Sequence, residues 1–205
     1  MQLDMNETRN RWIDLGIGFA LWLLSLSVYI TTLSVGAFPG ESVNYLAQQL
    51  GFFPRLSPNH PLWNGLTWLI CRLPGADVVW RLNVLSALLG SFSVWLAYHL
   101  VAGFVFETAS SEIPGRKGHI SASRLAGFAS AVFLAFCIPF WIVSNRAHPA
   151  SFDLFLLLGI TWIFYALIKT GKERYALVFA FLYGAGITEF ATLIVLAPLF
   201  GIYLL

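Results

Sequence analysis

Apolar residues run along this chain in blocks far longer than a soluble helix needs, separated by short polar stretches. A helix needs about 20 mostly apolar residues to cross the roughly 30 Å hydrocarbon layer of a bilayer, because each residue rises only about 1.5 Å and every backbone amide must be bonded internally. By that ruler, crossings are predicted from Trp12 to Val35, Val78 to Phe106, Leu125 to Val143 and Phe152 to Ile168, with Glu107–Arg124 and Asn145–Pro149 as polar breaks. The last stretch, Tyr175 to Leu205, is too long for one plain crossing and is interrupted by Gly184, Gly186 and Glu189, so it predicts a kinked or broken helix or two short ones. The first block exceeds the apolar core of a signal peptide and shows no small-residue cleavage site before Phe38-Pro39, which predicts a retained anchor.

The segment from 36 to 77, between the first two crossings, is patterned differently. Val43, Leu46, Ala47 and Leu50 share one helical face, with Asn44, Tyr45, Gln48 and Gln49 elsewhere. After the turn-rich Pro54–Pro61, Leu62, Leu66, Leu69 and Leu73 form a second stripe, with Asn64, Thr67, Trp68 and Arg72 off it; Pro74-Gly75 ends it. Both read as interfacial helices, with tryptophan at headgroup depth. The expected fold class is therefore all-α: a polytopic membrane protein with about five to six transmembrane helices and two interfacial helices, one domain over 1–205 with no internal repeat.

Composition agrees and narrows the function classes. Of 205 residues, 58% are hydrophobic and 11% charged, against about 25% charged in an ordinary soluble domain. The twelve Lys and Arg and ten Asp and Glu leave a net charge of +2 without clustering, which excludes a nucleic-acid partner. Cys71 and Cys137 lack the paired spacing of a zinc or redox motif. The positive-inside rule puts Arg9, Arg11, Arg116, Lys117, Arg124, Lys169, Lys172 and Arg174 on the side of the N-terminus and Arg55, Arg72, Arg81 and Arg146 on the other. The N-terminus is thus expected in the cytoplasm, with the 36–77 loop and the turn around His148 facing outside.

Candidate chemistry lies in those two outer segments. Glu41 opens the first interfacial helix, where a carboxylate either complements the helix dipole or serves as a general base or metal ligand. Asp153 sits just inside a crossing, where an ionisable group needs a partner such as Arg146 or His148. The Asn145–Asp153 neighbourhood reads either as a structural ion pair or as a phosphate pocket with Arg146 as its clamp. His60 reads as a loop histidine first and a site residue second, Asp77 and Arg81 as a helix-stabilising pair, and Glu189 as a cavity-lining carboxylate. Gly115-Arg116-Lys117-Gly118 lacks the spacing of a phosphate-binding loop.

The order of these features resembles the N-terminal membrane half of GT-C glycosyltransferases, which use lipid-phosphate-linked sugars. Pro39-Gly40-Glu41-Ser42, Ser57-Pro58-Asn59-His60-Pro61-Leu62-Trp63 and the run Trp80-Arg81-Leu82-Asn83-Val84-Leu85-Ser86-Ala87-Leu88 resemble a bacterial membrane family related to protein O-mannosyltransferases. Phe140-Trp141 and Tyr183-Gly184-Ala185-Gly186 fit its order too. The chain departs from that pattern at Phe38, where the family has an Asp, and at Leu56, where it has a His. His148 falls where relatives carry a Glu, and Asp153 where many GT-C enzymes place an acidic residue in their second outer loop. The family's chains are longer, so this one is expected to be the N-terminal part of a larger protein.

The resemblance implies an enzyme of the bacterial inner membrane that takes a sugar from a polyprenyl phosphate, in contact with membrane lipid, and transfers it to a protein or glycan acceptor outside. In that reading Glu41 and Asp153 are catalytic, either or both could hold a divalent cation, and Arg146, His148 and His60 bind substrate. Two rivals stand beside it: a non-catalytic scaffold or lipid-binding relative, which Phe38 favours, and a transporter, which an inverted repeat would mark.

Overall fold

A computed structural model describes residues 2–37, 39–52, 60–75, 77–112 and 116–204. It is helical throughout, with no strand among the described residues. In chain order the helices are α1 (Gln2–Thr31), α2 (Glu41–Gln49), α3 (Pro61–Cys71), α4 (Val78–Glu112), α5 (Arg116–Phe136), α6 (Ile138–Ser144), α7 (Pro149–Thr170), α8 (Glu173–Glu189) and α9 (Ala197–Leu204), with a 3₁₀ segment, Ala191–Leu196, before the last. Four stretches are long and apolar enough to cross a membrane: Asn10–Thr31, Val78–Ala109, His119–Phe136 and Pro149–Thr170. The Tyr175–Leu205 block contributes no further helix of that kind among the described residues, only α8 and the shorter apolar Ala191–Ile202. Phe38, Arg55 and Leu56 lie outside the described residues.

α4 is the hub. In its most apolar window 56% of residues are buried, against 22% in each of the other three, because α1, α5, α6 and α7 all pack on it. Its sequence permits this: Ser86, Ala87, Gly90, Ser91, Ser93, Val94 and Ala97 are small and let neighbouring backbones come close. A Cβ on Gly90 would strike Ser144 of α6. Leu21, Tyr29, Ala87, Val94, Tyr98, Ala131, Ala135 and Phe140 form the core between α1, α4, α5 and α6, while Leu156, Ile160, Phe164, Phe179, Leu193 and Phe200 form a second core between α7, α8 and the C-terminal turns.

The predicted Leu125–Val143 crossing is broken. Pro139 has no N–H to give the carbonyl four residues back, so the helix stops at Phe136 and restarts as the short α6. The carbonyl left over, that of Ala135, accepts the Tyr29 hydroxyl at 2.9 Å. The break turns the chain so that 145–148 lies across the end of α4. The expected break near Glu189 is present: α8 ends there, Phe190 is extended, and the close approach of Ile160 and Leu193 leaves no room for a side chain at Gly186.

The two short helices exist as predicted, with different faces inward. In α2 the buried residues are Ser42 and Leu46, four apart, while Val43 and Leu50 are exposed. In α3 Trp63 and Thr67 are buried and Leu69 and Leu73 lie outside, with the Arg72 guanidinium 3.6 Å over the Trp68 ring. Exposed leucines carry no penalty at an apolar boundary, and Val43, Leu50, Leu69 and Leu73 of the expected stripes face outward, as in a helix that lies on a membrane.

Candidate functional site

At the end of the bundle where α2 and α3 lie, two clusters of ionisable side chains meet. The first is held by the polar residues of α4. Asn83, 1% exposed, donates its amide to the Ser34 carbonyl at 2.9 Å and accepts the Ala147 N–H at 2.7 Å, while Ser86 accepts the His148 N–H at 3.3 Å. One asparagine thus ties the exit of α1 and the 145–148 turn to the hub. His148 is the N-cap of α7: its Nδ1 accepts the Ala150 N–H at 3.1 Å, and Pro149 begins the helix. Because Nδ1 is the acceptor, the ring proton of neutral His148 is on Nε2, which lies 3.4 Å from Glu41 Oε2. Glu41, at the first position of α2, is 74% exposed in its side chain, so this carboxylate is open to the surrounding medium.

The second cluster is recessed. Glu189, whose side chain is 0% exposed, reaches from the end of α8 to the start of α3 and accepts the Leu62 N–H at 2.6 Å and the Trp63 N–H at 3.2 Å. It fills the role that a serine or aspartate usually plays at a helix N-cap, and its charge meets the positive end of the helix dipole. The residue actually at that N-cap, His60, makes no side-chain cap; it adopts the left-handed conformation, φ 61° and ψ 62°, uncommon outside glycine. That backbone turns its imidazole onto two carboxylates, with Nδ1 3.3 Å from Asp153 Oδ2 and 3.6 Å from Glu189 Oε1.

Tyr45 joins the clusters. Its ring stands edge-on to His60, centroids 6.3 Å apart, and to His148, 5.8 Å apart. Burial, then the negative charges of Glu41, Asp153 and Glu189, push its hydroxyl above the ordinary tyrosine range, so Tyr45 is a neutral hydrogen-bonding group in this field. Burial pulls His148 below the ordinary histidine range, and the positive charge of Arg146 acts the same way against the pull of Glu41. His148 is accordingly neutral at pH 7.

Three segments distant in sequence therefore bring Glu41, His60, His148 and Asp153 to one end of the fold, with Arg146 beside them. The expected partner of Asp153 was Arg146 or His148; Asp153 in fact meets His60. Glu41 faces His148, and the carboxylate that joins Asp153 within ligand reach of a histidine is Glu189. Glu189, expected to line a cavity at a helix break, stands at the end of α8 and caps α3. The Asp77–Arg81 reading also changes, since Asp77 gives its backbone carbonyl to the Arg81 N–H at 3.0 Å while the guanidinium caps the far end of α3 at the Ile70 and Leu73 carbonyls. Asn83 and Tyr45 went unremarked as site residues, although an asparagine inside an apolar block is itself a signal.

Residues 56–205 match the protein O-mannosyl-transferase TMEM260 N-terminal domain, a span that holds His60, Asn83, Arg146, His148, Asp153 and Glu189 and begins after Glu41. No curated protein and no solved structure matches the chain. With a match over 150 of its 205 residues, the chain belongs to the family of the protein O-mannosyl-transferase TMEM260 N-terminal domain.

Proposed function

We propose that this membrane protein transfers a sugar, mannose by the family's name, from a polyprenyl-phosphate donor to a hydroxyl of a protein acceptor, in the manner of a GT-C-type glycosyltransferase and on the extracytoplasmic side. The observation that carries the reading is the convergence of Glu41, His148, Asp153 and His60 at one end of a membrane bundle, in a chain of a protein O-mannosyltransferase family. A lipid-linked donor suits it, because its tail stays among the exposed apolar faces of the helices while its phosphate meets polar groups at the end of the bundle.

In the step proposed, the acceptor oxygen attacks the anomeric carbon and the bond from that carbon to the phosphate oxygen breaks. The electron pair leaves with the polyprenyl phosphate, and the acceptor proton goes to a carboxylate. Glu41 is assigned as that base, since it is exposed to an arriving acceptor and its carboxylate stands 3.4 Å from Nε2 of His148. Arg146, next to His148 in the 145–148 turn, is assigned to the phosphate, where a guanidinium offsets the charge of the leaving group.

The test uses protein reconstituted in lipid, with labelled polyprenyl-phosphate mannose, labelled nucleotide mannose as the alternative donor, and an acceptor protein. Transfer from the lipid donor that collapses in Glu41→Gln supports the reading. Transfer from the nucleotide donor alone contradicts the donor class, and lipid binding with no turnover in either form returns the chain to a non-catalytic relative.

A further inference from the structure

We propose that His60, Asp153 and Glu189 form a site for a divalent first-row transition-metal ion of the manganese-to-zinc series. Their ligand atoms all lie within 4.8 Å of one another and come from three separate places: the turn before α3, the second turn of α7 and the last residue of α8. Metal–nitrogen and metal–oxygen bonds of about 2.0–2.2 Å place tetrahedral ligands roughly 3.4 Å apart. The Nδ1–Oδ2 and Nδ1–Oε1 distances, 3.3 and 3.6 Å, bracket that spacing.

The atoms' surroundings point the same way. His60 Nδ1 and Asp153 Oδ1 are both shut off from solvent and neither has a hydrogen-bond partner, an arrangement that is costly to leave unfilled. Although Asp153 Oδ2 is within hydrogen-bond distance of Nδ1, it does not lie where a ring N–H would reach it. Glu189 is meanwhile held in place by the two N–H groups it caps, and a carboxylate has lone pairs left for a further ligand. His60 is held in a left-handed conformation that orients its ring toward both carboxylates.

The donor set selects the ion. One imidazole and two carboxylates suit manganese, iron, cobalt or zinc, whereas magnesium and calcium prefer all-oxygen shells. Two carboxylates that meet at one histidine supply the charge that a dication balances. Three protein ligands leave a coordination position for an oxygen of the donor phosphate. That last role rests on the transfer reading above; ion binding itself does not. Glu41 stands outside this ligand group, against His148.

The experiment reads the ion without substrate. Chelator-treated protein in lipid is equilibrated with Co²⁺ or Zn²⁺, bound metal per chain is counted by mass spectrometry, and Co²⁺ is followed by its visible absorption. The expected result is close to one ion per chain, displaced by Zn²⁺ and not by equal Mg²⁺ or Ca²⁺. Affinity should fall in His60→Ala and in Asp153→Asn by at least the order of 100-fold that losing even an outer-shell partner can cost. Thermal unfolding of each variant without metal shows that it is folded, and Glu41→Gln keeps the ion. Binding no greater than in the two ligand variants overturns the site, and loss in Glu41→Gln with retention in His60→Ala overturns this ligand set. Because no sugar transfer is measured, failure here leaves the transfer reading standing, and failure of transfer leaves this site standing.

Discussion

The two ends of the bundle treat their charges in opposite ways. At the end away from α2 and α3, carboxylates meet permanent cations: Asp14 accepts Arg124 Nε at 2.6 Å and the Tyr98 hydroxyl at 3.4 Å, Arg124 also caps Asn10, and Glu107 meets Lys169 at 2.8 Å. Those charges are neutralised pair by pair and fasten α1 to α5 and α4 to α7. At the α2–α3 end, Glu41, Asp153 and Glu189 face histidines instead. Histidine changes charge near neutral pH and offers a lone pair, so this end retains the ability to take up protons, metals or substrate groups. One end holds its charges in fixed pairs, and the other is the end to which the proposed transfer is assigned.

That contrast breaks most visibly in activity. Replacing Asp153 with Asn is expected to reduce sugar transfer by about 10²–10⁴-fold, the range for losing a positioned acid, base or ligand group, with the unfolding midpoint little changed. Steady-state transfer and a thermal melt of the same preparation check both halves.

Next in size is Glu189→Ala, which leaves the Leu62 and Trp63 N–H groups without their acceptor. A buried donor left unpaired costs about 1–3 kcal/mol. The start of α3 should loosen first, so amide exchange at 62 and 63 is expected to accelerate while amides in the middle of α4 stay protected.

His148 sharpens the comparison through pH. Its folded-state value lies below the ordinary 6.5, burial being the main cause. Above the ordinary 6.5 folded and unfolded chains are both neutral at this residue, and its stability contribution is fully present. As the pH drops through the folded-state value the contribution is lost, because protonation at Nδ1 also removes the acceptor for the Ala150 N–H. Melting should therefore shift downward between pH 7 and pH 5, and His148→Asn, which can still cap the helix, should flatten the slope.

The smallest effect belongs to the opposite end. Glu107→Gln breaks an exposed pair of the kind worth about 0–1 kcal/mol, so its melt should barely move and its transfer rate should equal that of the wild type.

The four stretches long and apolar enough to cross a membrane were legible in the sequence, the third with different bounds, because bilayer thickness imposes a length that hydropathy reports directly. The broken crossing after Phe136 could also have been read, since Pro139 carries its own signal. The apolar stripes of α2 and α3 were legible as well, and Leu69 and Leu73 face outward as interfacial helices require, whereas the inward packing of Ser42, Trp63 and Thr67 had no signal in the periodicity. Of the site, Glu41, His60, His148 and Asp153 stood out as ionisable residues near apolar blocks, and the fold gathers them. Their pairing was hidden: His60 reaches Asp153 through a left-handed turn, and Glu189 reaches α3 from a residue 127 positions away from Leu62. Long-range contacts of that kind follow from packing, which periodicity does not encode.

The most direct test of the division between the two ends is the rate of transfer from labelled polyprenyl-phosphate mannose by Glu41→Gln, set against Glu107→Gln at equal amounts of folded protein. The account predicts a rate lowered by about 10²–10⁴-fold in the first and an unchanged rate in the second. Equal rates in the two variants would contradict it, and would remove the α2–α3 end as the place where the sugar is transferred.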